Sequence, residues 1–543
     1  MNLFNMPPRT LGGAVLLFCL LTLVACQPQN DPDSQLQKVT VSSVTVTSGW
    51  DSIIVSFGQN APLDITKFER SKVSLNPGDI DYDASVQGST LILVLKQTLN
   101  YFTAYKFYVE DGSNLGVRIV DDYTYKFTTP YDPSPKKDLI SDDELLTLVQ
   151  QQTFRYFYDF AHPTSGLARE RDSSGDIVTT GGSGFGLAAF PVAVERGFIT
   201  RDEALAHCTK VVDFLTEKAE RYHGAYPHWL NGATGKTIAF STKDDGADLV
   251  ETAFLIEGLL VIRQYFSGVS AEETALRDKI TAIYEGVEWP WFQKEGKQVL
   301  YWHWSPKYEW AMNMPIRGWN EALIIYVLAA SSPTHPIEKA VYTEGWARNG
   351  GIRNGKKYFD IVLPLGQEMG GPLFFAHYSF LGLNPMHLSD EYADYKEQNT
   401  AHARINYEYS LRHRAQPADS TQAHWGLTAS DIPNGYHATS PTDDNGTTAP
   451  TAALASMPYT PEESMAALRY FYYTLGDRLW GQYGFYDAFN LPSRWFARSY
   501  IAIDQGPIIV MIENYRTGLV WNLFMTCPEI QEGLTKLDIT YNP

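Results

Sequence analysis

Cysteine is scarce in this sequence, which has four cysteines among 543 residues. Cys19 and Cys26 lie in the first 26 residues, which leaves Cys208 and Cys527 for the rest of the chain. The low count excludes a disulfide-stapled scaffold, and no cysteines have the close spacing of a structural zinc site. The spacing of Cys208 and Cys527 leaves open whether they are bridged or free.

Positive charge is also in short supply. The chain has 43 Lys and Arg residues against 62 Asp and Glu residues, which gives a formal net charge of −19. Proteins that bind nucleic acid neutralise phosphates with Lys and Arg side chains. The composition therefore predicts no nucleic-acid partner, disfavours polyanionic substrates and favours a neutral ligand.

Long hydrophobic runs are missing except for one from Leu11 to Val24. This run is short for a membrane span and is typical of a signal peptide. Because Leu23 to Cys26 resembles a bacterial lipobox, we predict that residues 1–26 are a lipoprotein signal peptide and that Cys26 is lipidated. The alternative is an ordinary signal peptide with an incidental cysteine. Polar residues 27–37 are predicted to be a tether, which would anchor the protein in the cell envelope, facing the periplasm or the outer-membrane surface.

The chain is well supplied with hydrophobic and aromatic residues. Hydrophobic residues make up 44% and charged residues 19%, which is a globular composition, and 543 residues are too many for a single ordinary core. Aromatic residues make up 13%, including 13 Trp and 33 Tyr. Aromatic rings stack on sugars in carbohydrate sites, but they also fill cores, and composition alone favours cores.

Residues 38–130 have the pattern of a small β-domain. Turn residues separate short β-branched or aromatic runs, which cover residues 39–41, 44–46, 53–57, 91–95, 105–109 and 123–127. Several short strands in about 90 residues predict an immunoglobulin-like β-sandwich without catalytic residues of its own. Residues 131–137 are predicted to be a linker by their composition.

From residue 138 to the end, helical patterns dominate. Residues 141–144 have the sequence of a capping box that opens a helix. Further helices are predicted over residues 201–219, 247–265, 272–288, 319–330 and 461–475. Residues 247–266 are apolar nearly all round, so we expect an inner, buried helix there. Buried helices alternating with amphipathic ones predict a toroid of helix pairs, with long loops lining one mouth.

Three acidic residues stand at the start of that inner helix. Asp244, Asp248 and Glu251 have the i, i+4, i+7 spacing that places residues on one side of a helix. Three like charges need the helix dipole, hydrogen bonds or a bound sugar to hold them together. The alternative is a simple N-cap at Asp244 or Asp245 with an acidic first turn. Glu251 favours function, because its helix is too apolar to be a solvent face.

Two more carboxyl groups have apolar surroundings. Glu321 precedes an apolar run and follows Arg317, Trp319 and Asn320; apolar surroundings raise a carboxyl pKa, as a general acid requires. Its alternative is an ordinary acidic residue in the first turn of a helix. Asp504 is a lone acid in an apolar run before Gly-Pro, so it must be paired or functional.

Motifs for other chemistries are absent or incomplete. The glycine-rich residues 181–186 lack the Lys-Ser/Thr ending of a phosphate loop. The turn from Asp172 to Asp176 has too few acids to predict calcium binding, and no G-x-S-x-G motif indicates a serine hydrolase. We therefore expect neither a cofactor nor a metal.

Together these motifs resemble glycoside hydrolase family 144, the bacterial glycoamylase-like β-1,2-glucanases. The motifs lie in order within residues 140–540, at residues 178–186, 244–251, 317–321, 372–379, 448–453 and 503–507. The resemblance implies an (α/α)6 toroid over residues 138–543 and an inverting, metal-independent hydrolase of β-1,2-glucan. The essential carboxylates that it implies are Asp244, Asp248, Glu251, Glu321 and Asp504.

Glu321 is the expected general acid, with Asp504 or Asp248 as the carboxylate that activates water. The expected sugar contacts are Arg317, Trp319, Asn320, His377, Tyr378 and Trp425. Endo action and exo action that releases sophorose both remain open. A second hypothesis is a glycan-binding surface lipoprotein without catalysis. We expect a monomer with a β-glucan as its partner.

Overall fold

The computed structural model describes residues 35–60, 62–78, 80–112, 115–414 and 424–543. The predicted signal peptide, its Cys26 and most of the predicted tether lie outside the described residues. The chain divides into two compact units. The first unit has two segments, one up to Asn100 and the other Ala104–Thr129. The second unit comprises Tyr101–Thr103 and Pro130–Pro543.

The first unit is a β-sandwich. Its strands are β1 (Lys38–Val39), β2 (Val41–Val46), β3 (Ser52–Phe57), β4 (Val73–Asn76), β5 (Tyr82–Gln87), β6 (Thr90–Leu95), β7 (Ala104–Val109), β8 (Arg118–Ile119) and β9 (Tyr123–Thr128). A four-stranded sheet has the order β2-β3-β6-β5, and a three-stranded sheet has the order β4-β7-β9. Alternate residues of both sheets, such as Ile53 in β3 and Phe107 in β7, share one hydrophobic core.

Each strand run predicted in this unit falls in or overlaps a strand. Three strands, β4, β5 and β8, were not predicted. The β5 strand carries Asp83, Ser85 and Gln87 on one face, and these residues dilute the β-branched signal.

The second unit is mainly helical. Its α-helices are α1 (Asp142–Tyr158), α2 (Thr180–Glu195), α3 (Arg201–Glu217), α4 (Leu249–Tyr265), α5 (Ala271–Glu285), α6 (Leu323–Ser331), α7 (Tyr395–His413), α8 (Pro450–Ala455), α9 (Pro461–Arg469), α10 (Gly476–Leu479), α11 (Ala502–Arg516), α12 (Leu519–Met525) and α13 (Pro528–Lys536). Among the described residues, no helix combines the length with the apolar composition that a membrane span requires.

Short strands pair between these helices. They are β10 (Ile177–Thr179), β11 (Trp229–Asn231), β12 (Thr237–Ile238), β13 (Ala247–Asp248), β14 (His303–Trp304), β15 (Lys357–Tyr358), β16 (Ile361–Val362), β17 (Leu388–Ser389), β18 (Ala429–Ile432), β19 (Gly435–Ala438), β20 (Trp480–Gly481), β21 (Gly484–Phe485), β22 (Phe489–Asn490), β23 (Trp495–Phe496) and β24 (Thr540–Tyr541). The antiparallel pair β13-β14 places Asp248 opposite His303, which matters for the site below.

The inner segments of the second unit form a closed ring. Helix α2 packs against α4 and α11, α4 packs against α6, and α6 packs against the 3-10 turn Tyr378–Phe380. His377 Nε2 lies 2.9 Å from Ser456 Oγ, directly after α8, and α8 packs against α11. Outer helices cover this ring, because α1 packs on α11, α7 on the turn Leu373–Ala376 and α9 on α8. The helices therefore form an α/α toroid.

The predicted helix boundaries are close to the observed ones, with physical reasons for the differences. The capping box is confirmed: Ser141 N donates to Glu144 Oε2 at 2.9 Å, and Glu144 N donates to Ser141 Oγ. Helix α4 begins at Leu249 because Asp248 is its N-cap. Beyond Arg469, the predicted helix over residues 461–475 continues as a wider π-helical turn.

The segment predicted to be a linker, residues 131–137, packs within the second unit. The Tyr131 hydroxyl donates to Asp477 Oδ1 at 2.6 Å, and Lys136 N donates to Tyr473 O at 2.7 Å. These contacts hold the segment against the helices of the second unit.

Both cysteines of the described chain are free and buried. Cys208 lies in α3, and Cys527 is the N-cap of α13. Burial raises the pKa of both thiols, that of Cys527 to about 12, so both are protonated at neutral pH.

Candidate active site

The inner helices bring their N-terminal ends to one mouth of the ring. Gly181 N, in the first turn of α2, donates to Glu251 Oε2, in the first turn of α4, at 2.8 Å. A Cβ added at Gly182 would lie 2.9 Å from Ala502 Cβ, so the starts of α2 and α11 are also adjacent. Asp504 lies in the first turn of α11, and Glu321 lies two residues before α6. Helix N-termini favour negative charge, which suits this gathering of carboxyl groups.

Asp248 is held by the start of α4. Its Oδ1 accepts hydrogen bonds from Val250 N and Glu251 N, each at 3.0 Å. Asp244 precedes the helix on a tight turn in which Asp244 N donates to Ser241 O at 3.1 Å. The prediction that Asp244, Asp248 and Glu251 share one helix face is therefore wrong for Asp244, although the three carboxyl groups are brought together by another route.

That route is His228, which lies among the three carboxyl groups. Its Nδ1 is 3.1 Å from Asp248 Oδ2 and 4.0 Å from Asp244 Oδ2, and its Nε2 is 3.9 Å from Glu251 Oε1. Burial disfavours the charged imidazole, but the surrounding carboxylates outweigh burial and raise the pKa of His228 to about 9. His228 is therefore a cation at neutral pH, and we call these four residues the His228 cluster.

The carboxyl groups of the His228 cluster differ in their protonation. Burial, reinforced by Asp248, raises the pKa of Asp244 to about 7, and burial also raises the pKa of Glu251. Burial opposes ionisation of Asp248 as well, but the hydrogen bond from His228 and the positive charge near it hold its pKa below the ordinary value. Asp248 is thus the fixed anion of the cluster.

Three of these residues could offer ligands to a metal ion. One ligand atom each from His228, Asp244 and Asp248 lie within 4.8 Å of one another. A metal would have to displace the proton that the surrounding carboxylates favour on His228. The absence of a metal stays a prediction.

Glu321 is a buried carboxyl group at the same mouth. Its side chain is close enough to Glu251 and Asp248 to feel their charges, although burial is the larger effect, and together they raise the pKa of Glu321 to about 7. The Ser379 hydroxyl donates to its backbone carbonyl, and Asn320 Oδ1 accepts from Ala322 N, which fixes the turn into α6. A carboxyl group of this pKa can donate a proton at neutral pH.

Asp504 forms a pair with Asp487. Asp504 Oδ2 and Asp487 Oδ1 are both buried, and neither has a conventional hydrogen-bond donor. Burial, reinforced by the negative charge of Asp431, raises the pKa of Asp487 to about 7, and burial, reinforced by Asp487, raises the pKa of Asp504. The two groups therefore share a proton, as facing carboxyls do. Asp504 Oδ1 has one long hydrogen bond, from the Tyr378 hydroxyl at 3.4 Å.

A second layer supports this aspartate pair. Asp431 N donates to Asp487 Oδ2 at 2.6 Å, and Arg171 Nη1 lies 3.2 Å from Asp431 Oδ1. Arg171 also pairs with Glu170, its neighbour in sequence. The guanidinium group thus balances the acidic side of the mouth without touching the shared proton.

The expected sugar contacts divide into two groups. The first group can reach the mouth of the ring. Its members are Tyr378, which contacts Asp504, the exposed Arg317 and the partly exposed Asn320. The expectation is wrong for Trp425, which is fully buried and donates from Nε1 to Glu463 O at 3.3 Å. His377 is also buried, and it hydrogen-bonds Ser456.

Trp319 is 5% exposed, about as much as Tyr378, and its indole packs against Phe380 and Tyr395. Its contact with sugar stays a prediction. The corrections for Trp425 and His377 have one reason: the ring is filled with aromatic residues, so a ring-bearing side chain is as often core as site.

Sequence reasoning missed His228, His303, Asp431 and Arg171 at this site. His228 is 20 residues away from Asp248, and His303 Nε2 lies 3.5 Å from Asp244 Oδ2 only because β13 pairs with β14. No helical or strand spacing links these residues. The only available signal was that Tyr226 to Trp229 places a histidine among aromatic residues.

Comparison with known proteins agrees with this geometry. The model of the Glycoamylase family, described as "Putative glucoamylase", matches residues 313–528. An exo β-1,2-glucooligosaccharide sophorohydrolase (non-reducing end) from Parabacteroides distasonis is 45% identical over 420 residues, which cover 73% of this chain and 58% of that protein. The chain therefore spans less than two thirds of the length of this curated relative.

Two solved structures are similar over most of their length. An endo-β-1,2-glucanase from Chitinophaga pinensis, in complex with sophorotriose and glucose, is 49% identical, with a TM-score of 0.72, and the match covers 74% of this chain and 99% of that one. A β-1,2-glucanase from Parabacteroides distasonis is 38% identical, with a TM-score of 0.71, and the match covers 93% of this chain and 73% of that one. On its fold, the order of its motifs and these relatives, the chain belongs to glycoside hydrolase family 144, the bacterial glycoamylase-like family of β-1,2-glucanases.

Proposed function

We propose that this protein is an inverting glycoside hydrolase that cleaves β-1,2-glucan or its oligosaccharides. The observation that carries the proposal is Glu321, a buried carboxyl group whose pKa is raised to about 7, at the same mouth of the ring as Asp504. Two carboxyl groups, one to donate a proton and one to activate water, are what glycosidic hydrolysis needs. The names of the relatives, one exo-acting and one endo-acting, support the substrate class.

Glu321 is the proposed general acid. Its carboxyl proton passes to the glycosidic oxygen as the bond to the anomeric carbon breaks, which lets the leaving sugar depart as a neutral alcohol. The negative charge of Asp248, and that of Glu251 when it is ionised, helps Glu321 to hold that proton until the reaction needs it.

Asp504 is favoured over Asp248 as the carboxylate that activates water. Both oxygens of Asp248 are engaged, Oδ1 with two backbone N–H groups and Oδ2 with His228. Asp504 Oδ1 has only the long contact with Tyr378, so a water molecule or a substrate hydroxyl can donate to it. The proton taken from water then enters the carboxyl pair that Asp504 forms with Asp487.

A product time course tests the proposal. The purified chain, beginning after Cys26, is incubated with linear β-1,2-glucan, and the products are resolved from the earliest time points. Sophorose alone at the start indicates exo action, and a ladder of lengths indicates endo action. No product from this or any other β-glucan would overturn the enzyme proposal and leave the glycan-binding lipoprotein as the better account.

We also propose that the protein is a monomer anchored to the cell envelope by a lipid on Cys26. The support is the lipobox-like sequence that ends at Cys26. A Cys26→Ser change should move the protein from the membrane fraction to the soluble fraction, and light scattering should give the mass of one chain. The first unit, a four-stranded sheet packed on a three-stranded sheet, is proposed to be immunoglobulin-like and to act as a spacer.

A further inference from the structure

Phe240 is an aromatic residue that the proposed reaction does not use. It lies between β12 and Asp244, and its backbone N–H donates to Asp244 O at 2.9 Å. Its side chain is 50% exposed, although most aromatic residues of this unit are buried. A large apolar ring left half in water calls for a reason, because covering it would be favourable.

The ring of Phe240 is held in place by two neighbours. It stacks on the imidazole of His228, with ring centroids 4.2 Å apart and an interplanar angle of 23°. It also meets the edge of Trp229, with centroids 4.9 Å apart and an angle of 63°. One face of Phe240 therefore covers the His228 cluster, and its 50% exposure leaves the other face open to solvent.

A hydrogen-bond acceptor lies on the same turn as Phe240. The turn that carries Phe240 also carries Asp244, because Asp244 N and Ser241 O are hydrogen-bonded. Asp244 is 5% exposed, and its buried Oδ1 has no hydrogen-bond partner. An unpartnered buried polar atom costs free energy, which a donor from a ligand would recover.

A glucosyl ring has the matching chemistry. The C–H bonds of a β-linked glucose point to the two faces of the ring and make these faces apolar, whereas the hydroxyl groups project from its edge. An apolar face packs on an aromatic plane, and an edge hydroxyl donates to a carboxylate oxygen. The open face of Phe240 and the free Oδ1 of Asp244 offer these two contacts on one short turn.

We propose that Phe240, supported by Trp229, forms a sugar-binding subsite on the His228 side of the mouth. Phe240 stacks on one glucosyl ring of the glucan, and Asp244 accepts a hydrogen bond from a hydroxyl of the same ring. The inference rests on the proposed function, since it takes a β-glucan as the ligand. It adds a binding residue that contributes to affinity and not to the bond-breaking step.

Kinetics of three Phe240 variants test the subsite. Phe240→Ala removes the stacking surface, Phe240→Leu keeps an apolar side chain but removes the flat face, and Phe240→Trp keeps a flat face. We expect KM for linear β-1,2-glucan to rise about tenfold in the Ala and Leu variants, with kcat within about twofold, because a contact made equally in ground and transition states acts on KM. The Trp variant should retain the KM of the parent.

Tyr515→Ala is the matched control, because Tyr515 is 46% exposed but lies at the far end of α11. Its KM should not change. An unchanged KM in Phe240→Ala would overturn the subsite. So would a parent-like KM in Phe240→Leu, because apolar cover of His228 would then suffice without stacking.

A binding titration separates this inference from the proposed function. Linear β-1,2-glucan is titrated into Glu321→Gln with and without Phe240→Ala, followed by calorimetry. Weaker binding in the double variant supports the subsite, even if the parent enzyme shows no turnover. Turnover by the parent with equal binding in both variants overturns the subsite alone. No binding and no turnover in the parent overturn both.

Discussion

At the scale of single residues, the site depends on which groups hold a proton near neutral pH. His228 is charged, Asp248 is ionised, and Glu321 titrates at about 7. These states have separate physical causes: opposite charges for His228, hydrogen bonds for Asp248 and burial for Glu321.

The first prediction concerns Glu321. Because a general acid must be protonated, turnover should fall as the pH rises through about 7. Glu321→Gln cannot donate a proton, so kcat should fall at least about 100-fold. Its residual rate should no longer fall as the pH rises through about 7. A pH–rate profile of both proteins makes the comparison. Near-normal turnover in Glu321→Gln would remove its assignment as the acid.

The second prediction concerns the effect of His228 on stability. Its pKa is about 9 in the folded protein and near the ordinary 6.5 in the unfolded chain, so the folded state binds more protons between these values. The stabilisation is complete below about pH 6.5 and is lost as the pH rises through about 9. His228→Gln should therefore be less stable than the parent at pH 6, and the difference should shrink above pH 9. Urea unfolding across this range measures it; a difference independent of pH would contradict the charge pairing.

Single residues of the site were predictable only where local sequence carried the signal. Glu321 and Asp504 could be found because each is a lone acid in an apolar run, and such acids need a partner or a role. His228 could not be found, since its partners come from other segments. Trp425 misled, because its place in the sequence gives no indication of which way its ring points.

At the scale of elements, the ring depends on close packing between α2 and α4. A Cβ added at Gly184 would lie 2.1 Å from Phe254 O, and one at Gly258 would lie 1.9 Å from Gly184 O. The two helices therefore touch through their backbones where these glycines meet. This contact brings the start of α2 within reach of Glu251, so helix packing and site geometry are linked.

The third prediction follows from that contact. Gly184→Ala should force the two helices apart and lower the free energy of unfolding by about 1–3 kcal/mol or more, because backbone atoms cannot move aside as side chains do. Gly476→Ala is the control, since its nearest atom would be Lys137 Cε at an ordinary 3.6 Å. Denaturant unfolding of both variants provides the test, and equal stabilities would contradict the backbone contact.

Helices were predictable where periodicity and caps agreed. The predicted ranges 201–219 and 272–288 correspond to α3 and α5, both of which open at a Ser or Thr N-cap. The range 319–330 began four residues early, because Asn320 bonds Ala322 N in a turn that precedes α6. Apolar composition alone does not show where such a turn ends and the helix begins.

At the scale of the whole molecule, the two units have separate cores. The hydrophobic cluster of the first unit contains none of the residues of the ring, and every candidate site residue lies in the second unit. A mainly helical second unit and a β-rich first unit were predictable from composition and periodicity. Closure of the helices into a ring followed from the family resemblance, because periodicity does not reveal which helices are neighbours in space.

The fourth prediction concerns a shortened chain that begins at Pro130. The carboxyl groups of the site and their supports all lie beyond this residue, so kcat should remain within about threefold of the parent. Tm should fall, because the shortened chain loses the packing of Phe102 on Tyr131 and Phe496. Activity on linear β-1,2-glucan and a circular dichroism melt provide the two readings. Loss of turnover in a folded, shortened chain would place a required residue before Pro130.

The two buried thiols have a practical consequence. In a chain that begins after Cys26, Cys208 and Cys527 are the only cysteines, one on an outer helix and the other at the start of α13. A thiol reagent reaches them only when the local structure opens, so the labelling rate of each thiol measures local unfolding of the native protein. The labelling rate at each position would show whether the ring opens as one body or segment by segment, without the introduction of any probe.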